Sequence, residues 1–187
     1  MAPRRSPPSA LSLSLSPAAL LVLGLALLGL SWPSIASSRR VLLQADGAAA
    51  FGSRVIFNSM QNVGVQDGGA ISLMLDRTGG AFKGQCGAGF ECSDAYSFGT
   101  FSVEAKMPAS YSAGVCATYF LQSGSYEQRN EWDFEFLGSP NTSVGMTLQT
   151  NAFMGGTGGQ EELYAFGFDP AADFHTYSIQ WGPDQTV

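Results

Sequence analysis

The chain has 187 residues, 45% hydrophobic, 12% aromatic and 13% charged, a composition that builds one globular domain with a sizeable core and excludes a disordered tail. With 9 Lys+Arg against 15 Asp+Glu the net charge is −6, and no basic stripe is present, so the phosphate-neutralising surface of a nucleic-acid binder is missing. A neutral partner fits this balance better.

The N-terminus differs from the rest. Arg4 and Arg5 give a positive start, "AALLVLGLALLGL" (18–30) is uninterruptedly apolar, and Ser34-Ile35-Ala36 places small residues before a cleavage point. Residues 1–36 read as a secretory signal peptide cut after Ala36 or a residue or two later. An uncleaved anchor is the alternative, but the run is shorter than the roughly 20 residues a bilayer needs. No other stretch is apolar enough to span, so no membrane contact is expected after cleavage. The Arg/Ala/Gly-containing segment 37–50 reads as a linker.

Export makes disulfides permissible. Of the three cysteines, Cys86 and Cys92 flank Gly87 and Gly89 and are the candidate pair, while Cys116, inside "GVCATYFL", reads as a small buried hydrophobe. Asn141-Thr142-Ser143 is a glycosylation sequon, meaningful in a secreted chain.

From Phe51 onward the pattern is strand and turn. Strands are expected at "AISLMLD" (70–76), "GTFSVEAKM" (99–107), "GVCATYFLQS" (114–123), "NEWDFEFLG" (130–138), "VGMTLQTNAF" (144–153), "EELYAFGFD" (161–169) and "FHTYSIQW" (174–181). No window shows a convincing helical apolar spacing, and 23 glycines oppose long helices. The fold class is all-β, an antiparallel sandwich. The last strand expected, "SIQW", is followed only by a turn, so the sandwich is expected to be incomplete at its C-terminal side.

The segment "NEWDFEFLG" carries the chemistry. Alternate strand residues face opposite ways, so Glu131, Asp133 and Glu135 share one face while Trp132, Phe134 and Phe136 share the other, which should be buried between the sheets. Glu131 and Glu135 are separated by about 13 Å along the strand. Side chains leaning inward on a concave sheet bring the two carboxyls to about 5–6 Å, near the separation used by retaining glycosidases. Asp133 between them can hold a proton with one neighbour and drive their proton affinities apart. A simple solvated face remains open as an alternative. A calcium site fits less well, because the carboxylates lie mid-strand with no loop oxygens.

These residues resemble glycoside hydrolase family 16, closest to the plant xyloglucan endotransglucosylase/hydrolases and the lichenase-like β-glucan endoglucanases. "EWDFEFLG" is similar to that family's E-[I/L]-D-x-E-F-L-G signature, with Trp132 in place of an aliphatic residue. "YSFGTFSVEAKMPASYSAGV" (96–115), "LQTNAF" (148–153) and "FDPAADFHTYSIQW" (168–181) follow its patterns in the same order. The resemblance implies a concanavalin A-like jelly-roll sandwich over 51–187, with further strands beyond Val187. It implies Glu131 as nucleophile, Asp133 as helper and Glu135 as acid/base, acting by double displacement on a β-1,4-glucan backbone.

The same resemblance places Gln149, Thr150 and Asn151 in a sugar-binding block, and Glu161 is the one match to an Asp/Asn-Arg-Glu block whose other positions here are Gly159 and Gln160. These departures weaken a transglycosylase assignment relative to a hydrolase. His175, the only histidine, reads as structural, and with no cysteine cluster there is no zinc site and no cofactor is implied. The expected protein is a secreted monomer working on cell-wall xyloglucan or mixed-linkage β-glucan, with an oligosaccharide acceptor where transfer replaces hydrolysis. A catalytically silent, lectin-like glucan-binding sandwich and a non-functional truncated fragment are the competing readings.

Overall fold

The computed structural model describes residues 20–27, 39–44, 55–58, 62–65, 70–75, 87–92, 94–109, 111–141 and 145–187. Among the described residues, twelve strands build two antiparallel sheets. In chain order they are β1 (Leu20–Leu27), β2 (Arg39–Gln44), β3 (Val55–Asn58), β4 (Val63–Val65), β5 (Ile71–Leu75), β6 (Ala88–Cys92), β7 (Gly99–Lys106), β8 (Val115–Ser123), β9 (Asn130–Leu137), β10 (Thr147–Phe153), β11 (Glu162–Ala165) and β12 (His175–Trp181). The larger sheet has the order β11-β10-β9-β8-β1-β6-β3, and the smaller β12-β7-β2-β5-β4. A 3-10 turn, Tyr126–Gln128, joins β8 to β9.

Period-two patterning explains why these segments are strands. Along β12 Tyr177, Ile179 and Trp181 are buried while Thr176, Ser178 and Gln180 are exposed. Along β8 Val115, Ala117, Tyr119 and Leu121 are buried. The inward faces of the two sheets meet in one core. Phe136 of β9 is fully buried, and its ring meets Tyr177 of the opposite sheet edge-on at 4.7 Å and stacks on Phe166 at 6.1 Å. Aromatic pairs in these arrangements contribute beyond their area alone.

All seven expected strands are present, with trimmed ends. Among the described residues the segment at 144–153 pairs from Thr147, and that at 161–169 stops at Ala165, after which Phe166 and Phe168 pack as ring contacts. The strand β6 was not expected, because "AGFEC" mixes a glycine and small residues with little alternation. The short strands β3 and β4 were not named either, and two more strands lie in stretches given another reading. Leu20–Leu27, inside the stretch read as a signal peptide, runs antiparallel between β6 and β8. Arg39–Gln44, inside the stretch read as a linker, pairs with β5 and β7. Short apolar runs satisfy an open ladder edge as readily as a bilayer or a tether, and periodicity alone does not separate these uses.

At the end of β9 the chain passes so close to the β7–β8 connection that only glycine fits. A Cβ on Gly138 would stand 1.8 Å from the Ser112 carbonyl oxygen, and the Gly138 amide donates to the Val115 carbonyl at 2.8 Å. This contact fixes where β9, and therefore its side chains, sits against β8.

Phe136→Ala is expected to destabilise the protein by about 3–5 kcal/mol, measured by denaturant unfolding; a loss below 1 kcal/mol would mean that the ring cluster is not the core. Deleting residues 1–36 leaves the facing edges of β6 and β8 without β1. The resulting 37–187 protein should melt at a lower temperature than the full chain, whereas equal melting temperatures would show that β1 adds nothing to the sheet.

Candidate active site

Strand β9 carries the acidic row, and its two neighbours fix the register. On the acidic face, Glu131, Asp133 and Glu135 stand opposite Phe153, Asn151 and Gln149 of β10, and opposite Gln122, Phe120 and Thr118 of β8. On the other face, Trp132 and Phe134 stand opposite Leu121 and Tyr119. The division into two faces is as expected, but burial on each differs from expectation.

Only Phe136 of the three aromatic residues is fully buried. Trp132 and Phe134 are half-buried and, with Thr150, Ile179 and Val187, line a cavity of about 430 Å³. The Trp132 indole Nε1 is buried there with no hydrogen-bond partner among the described residues. On the acidic side the carboxylates do not lie on an open surface, since Asp133 is only 8% exposed.

That burial decides the protonation. Desolvation, then the charge of Glu131 and a hydrogen bond with it, then the charge of Glu135 raise the Asp133 carboxyl from 3.8 to about 8, against a smaller lowering by Arg129. Asp133 is therefore mostly protonated at neutral pH and donates its hydrogen bond to Glu131. Desolvation also raises Glu135, partly offset by the Gln149 amide, whose Nε2 donates to Glu135 Oε2 at 2.7 Å. A buried acid that keeps its proton beside a carboxylate held as an anion is an arrangement that divides acid from base roles.

The substrate-binding expectations separate. Gln149 and Asn151 lie on the acidic face, but Thr150 between them points to the opposite face, into the cavity beside Phe134, so the three do not form one polar strip. The Asn151 side chain is committed to the chain itself. Its Oδ1 accepts from the amides of Ala152 at 2.8 Å and Gln160 at 3.1 Å, and its Nδ2 donates to Glu161 Oε1 at 3.4 Å. Glu161 is thereby brought near the row, where its charge acts on Glu135.

Among the other singled-out residues, His175 packs against the Phe168 ring at 4.2 Å and its Nε2 is buried without a partner among the described residues. Cys116 is buried as anticipated, with its thiol pushed up to about 12, mainly by burial. Among the described residues Cys92 has no disulfide partner, and its expected partner Cys86 lies outside them. Asn141 is exposed, while Thr142 and Ser143 of the sequon lie outside them. Among the described residues no group of His, Cys, Asp and Glu is arranged to hold a metal ion.

Sequence reasoning missed Arg129. It lies two residues before Glu131, so parity puts it on the acidic face, and its Nε is 2.8 Å from Glu131 Oε2. The guanidinium is covered by the rings of Phe153 at 3.9 Å and Tyr126 at 4.6 Å. Extending the alternation one step backwards, R-x-E-x-D-x-E, would have found it.

Residues 53–187 match the family described as Glycosyl hydrolases family 16. The chain is 40% identical over 121 residues to xyloglucan endotransglucosylase protein 7 of Diospyros kaki, covering 65% of this chain and 42% of that protein. It is 39% identical over 123 residues to probable xyloglucan endotransglucosylase/hydrolase protein 8 of Arabidopsis thaliana, covering 65% and 38%. The rice protein named xyloglucan endotransglycosylase/hydrolase protein 8 is 37% identical over 117 residues, covering 63% and 38%. The chain thus spans about two-fifths of the length of these relatives.

With Asp133 raised to about 8, the folded protein holds a proton there that an unfolded chain, near 3.8, has released. The sign follows: Asp133 contributes stability that is fully present below about pH 4 and is lost as pH rises through about 8. The melting temperature of wild type relative to Asp133→Asn should accordingly fall between those limits; a difference independent of pH would contradict the assignment.

Proposed function

The chain belongs to glycosyl hydrolase family 16, and from that premise we propose that it is a secreted, retaining glycosidase or transglycosylase acting on the β-1,4-linked backbone of xyloglucan or a related cell-wall β-glucan. The observation that carries this reading is the row itself: two glutamates flanking a buried aspartate on one face of β9, with the outer glutamate bonded to the Gln149 amide. The names of the relatives supply the substrate class.

In the proposed reaction Glu135 gives its proton to the glycosidic oxygen as Glu131 attacks the anomeric carbon. The leaving sugar departs with that proton, and a glycosyl ester forms on Glu131. Glu135, now a carboxylate, takes a proton from water or from a sugar hydroxyl, whose oxygen attacks the same carbon and frees Glu131. Asp133 keeps its proton throughout. Its hydrogen bond stabilises the Glu131 anion before attack and after release, and weakens while that oxygen is esterified. Gln149 orients Glu135, and Glu161 adds negative charge that favours its protonated form.

The leader, the exposed Asn141 and the acidic surface fit export to a polysaccharide matrix, where the protein would work as a monomer without a cofactor. Glu131→Gln should lower turnover of xyloglucan and of mixed-linkage β-glucan by at least about a thousandfold with the fold retained. Product release with and without an oligosaccharide acceptor is the assay. Undiminished turnover in that variant would overturn the reading, and tight glucan binding by a wild type that releases no product would replace it with a lectin-like one.

A further inference from the structure

Arg129 is built into its place from several sides. Its Nη1 donates to the Tyr126 carbonyl at 3.0 Å, and its guanidinium lies between the Tyr126 and Phe153 rings. Its own carbonyl accepts from the Gly156 amide at 2.8 Å. Gly156 adopts φ +81°, and a Cβ there would stand 2.0 Å from the Glu127 carbonyl oxygen, so the loop after β10 closes tightly on the β8–β9 turn. The side chain is only 13% exposed, and the Glu131 carboxylate it meets is 12% exposed.

An exposed arginine pair would contribute little and hold no fixed geometry. This one is largely removed from water, stacked on two rings and paired through Nε, which orients the planar guanidinium along one edge of the carboxylate. Phe153 is the cross-strand neighbour of Glu131, so the ring beneath the guanidinium and the acid beside it are set by one register.

We propose that Arg129 is the positioning residue for Glu131: it holds the carboxylate in one orientation through Oε2. This rests on the proposed glycosidase reading for its kinetic consequence, though not for its structural one. The ion pair fixes the edge of the Glu131 carboxylate that carries Oε2. It also leaves the second oxygen of Glu131 to face the anomeric carbon. A charge-neutral residue here would release that orientation.

Two substitutions separate charge from packing. Arg129→Met keeps the length and apolar stacking on Phe153 and Tyr126 but removes the charge, and Arg129→Lys keeps the charge without the planar fork. The Met variant should lose about 10- to 100-fold in kcat with KM changed less than about twofold, and the Lys variant should recover part of that loss. Wild-type kcat in the Met variant, or no recovery by lysine, would overturn the assignment.

A second arm is independent of turnover. The Arg129 Hε proton should exchange slowly with solvent by NMR in the wild type and much faster in Glu131→Gln, whereas fast exchange in both would overturn the pairing. A wild type that releases no glucan product but shows the slow Hε would overturn the function and leave the Arg129–Glu131 pairing standing.

Discussion

Burying Asp133 beside Glu131 and within the field of Glu135 is tolerable only if one negative charge leaves the row. Three ionised carboxylates on alternate residues of one strand, with the middle one 8% exposed, would each be poorly solvated and mutually repelled. A proton retained on Asp133 turns the worst of these contacts into a hydrogen bond. The remaining features of the site follow from where that proton rests. Arg129 stabilises the charge that stays on Glu131, Gln149 partly satisfies Glu135, and the rings of Phe153 and Tyr126 hold the arginine where it is needed.

The two sheets serve this arrangement by fixing register. Phe136, clamped by Tyr177 and Phe166, cannot turn outward, and a one-residue slip of β9 would exchange its acidic and aromatic faces. The glycine contact at Gly138 sets the far end of the strand and the Arg129–Gly156 backbone bond sets the near end. Between those two points the acids are presented with little freedom. The less complete part of the interior lies behind them, where Trp132 and Phe134 face the cavity instead of a filled core.

How much of this was legible in the sequence depends on whether a residue's neighbours are local. Strand parity in "NEWDFEFLG" separates acids from aromatics without knowledge of the fold, and "HTYSIQW" and "VCATYFLQS" announce themselves by alternation. Thr150 was misplaced because a motif was read as a unit, although parity sends it away from Gln149 and Asn151. The commitments of Asn151 to Gln160 and Glu161 depend on a loop closing back on β10, which no local pattern reveals. The apolar run at 20–27 shows the opposite limit. Its composition reads as an export leader, yet its backbone fills the ladder between β6 and β8. One molecule cannot use the run both ways at once, so cleavage and sheet completion are alternatives for that segment.

The ionisation of the row can be observed without substrate. A carbon-13 NMR titration of the side-chain carboxyls in the intact protein should show one aspartate, Asp133, titrating near 8. A spectrum in which every aspartate carboxyl has completed its titration below about pH 5, close to its ordinary range, would contradict the retained proton on which the site is built.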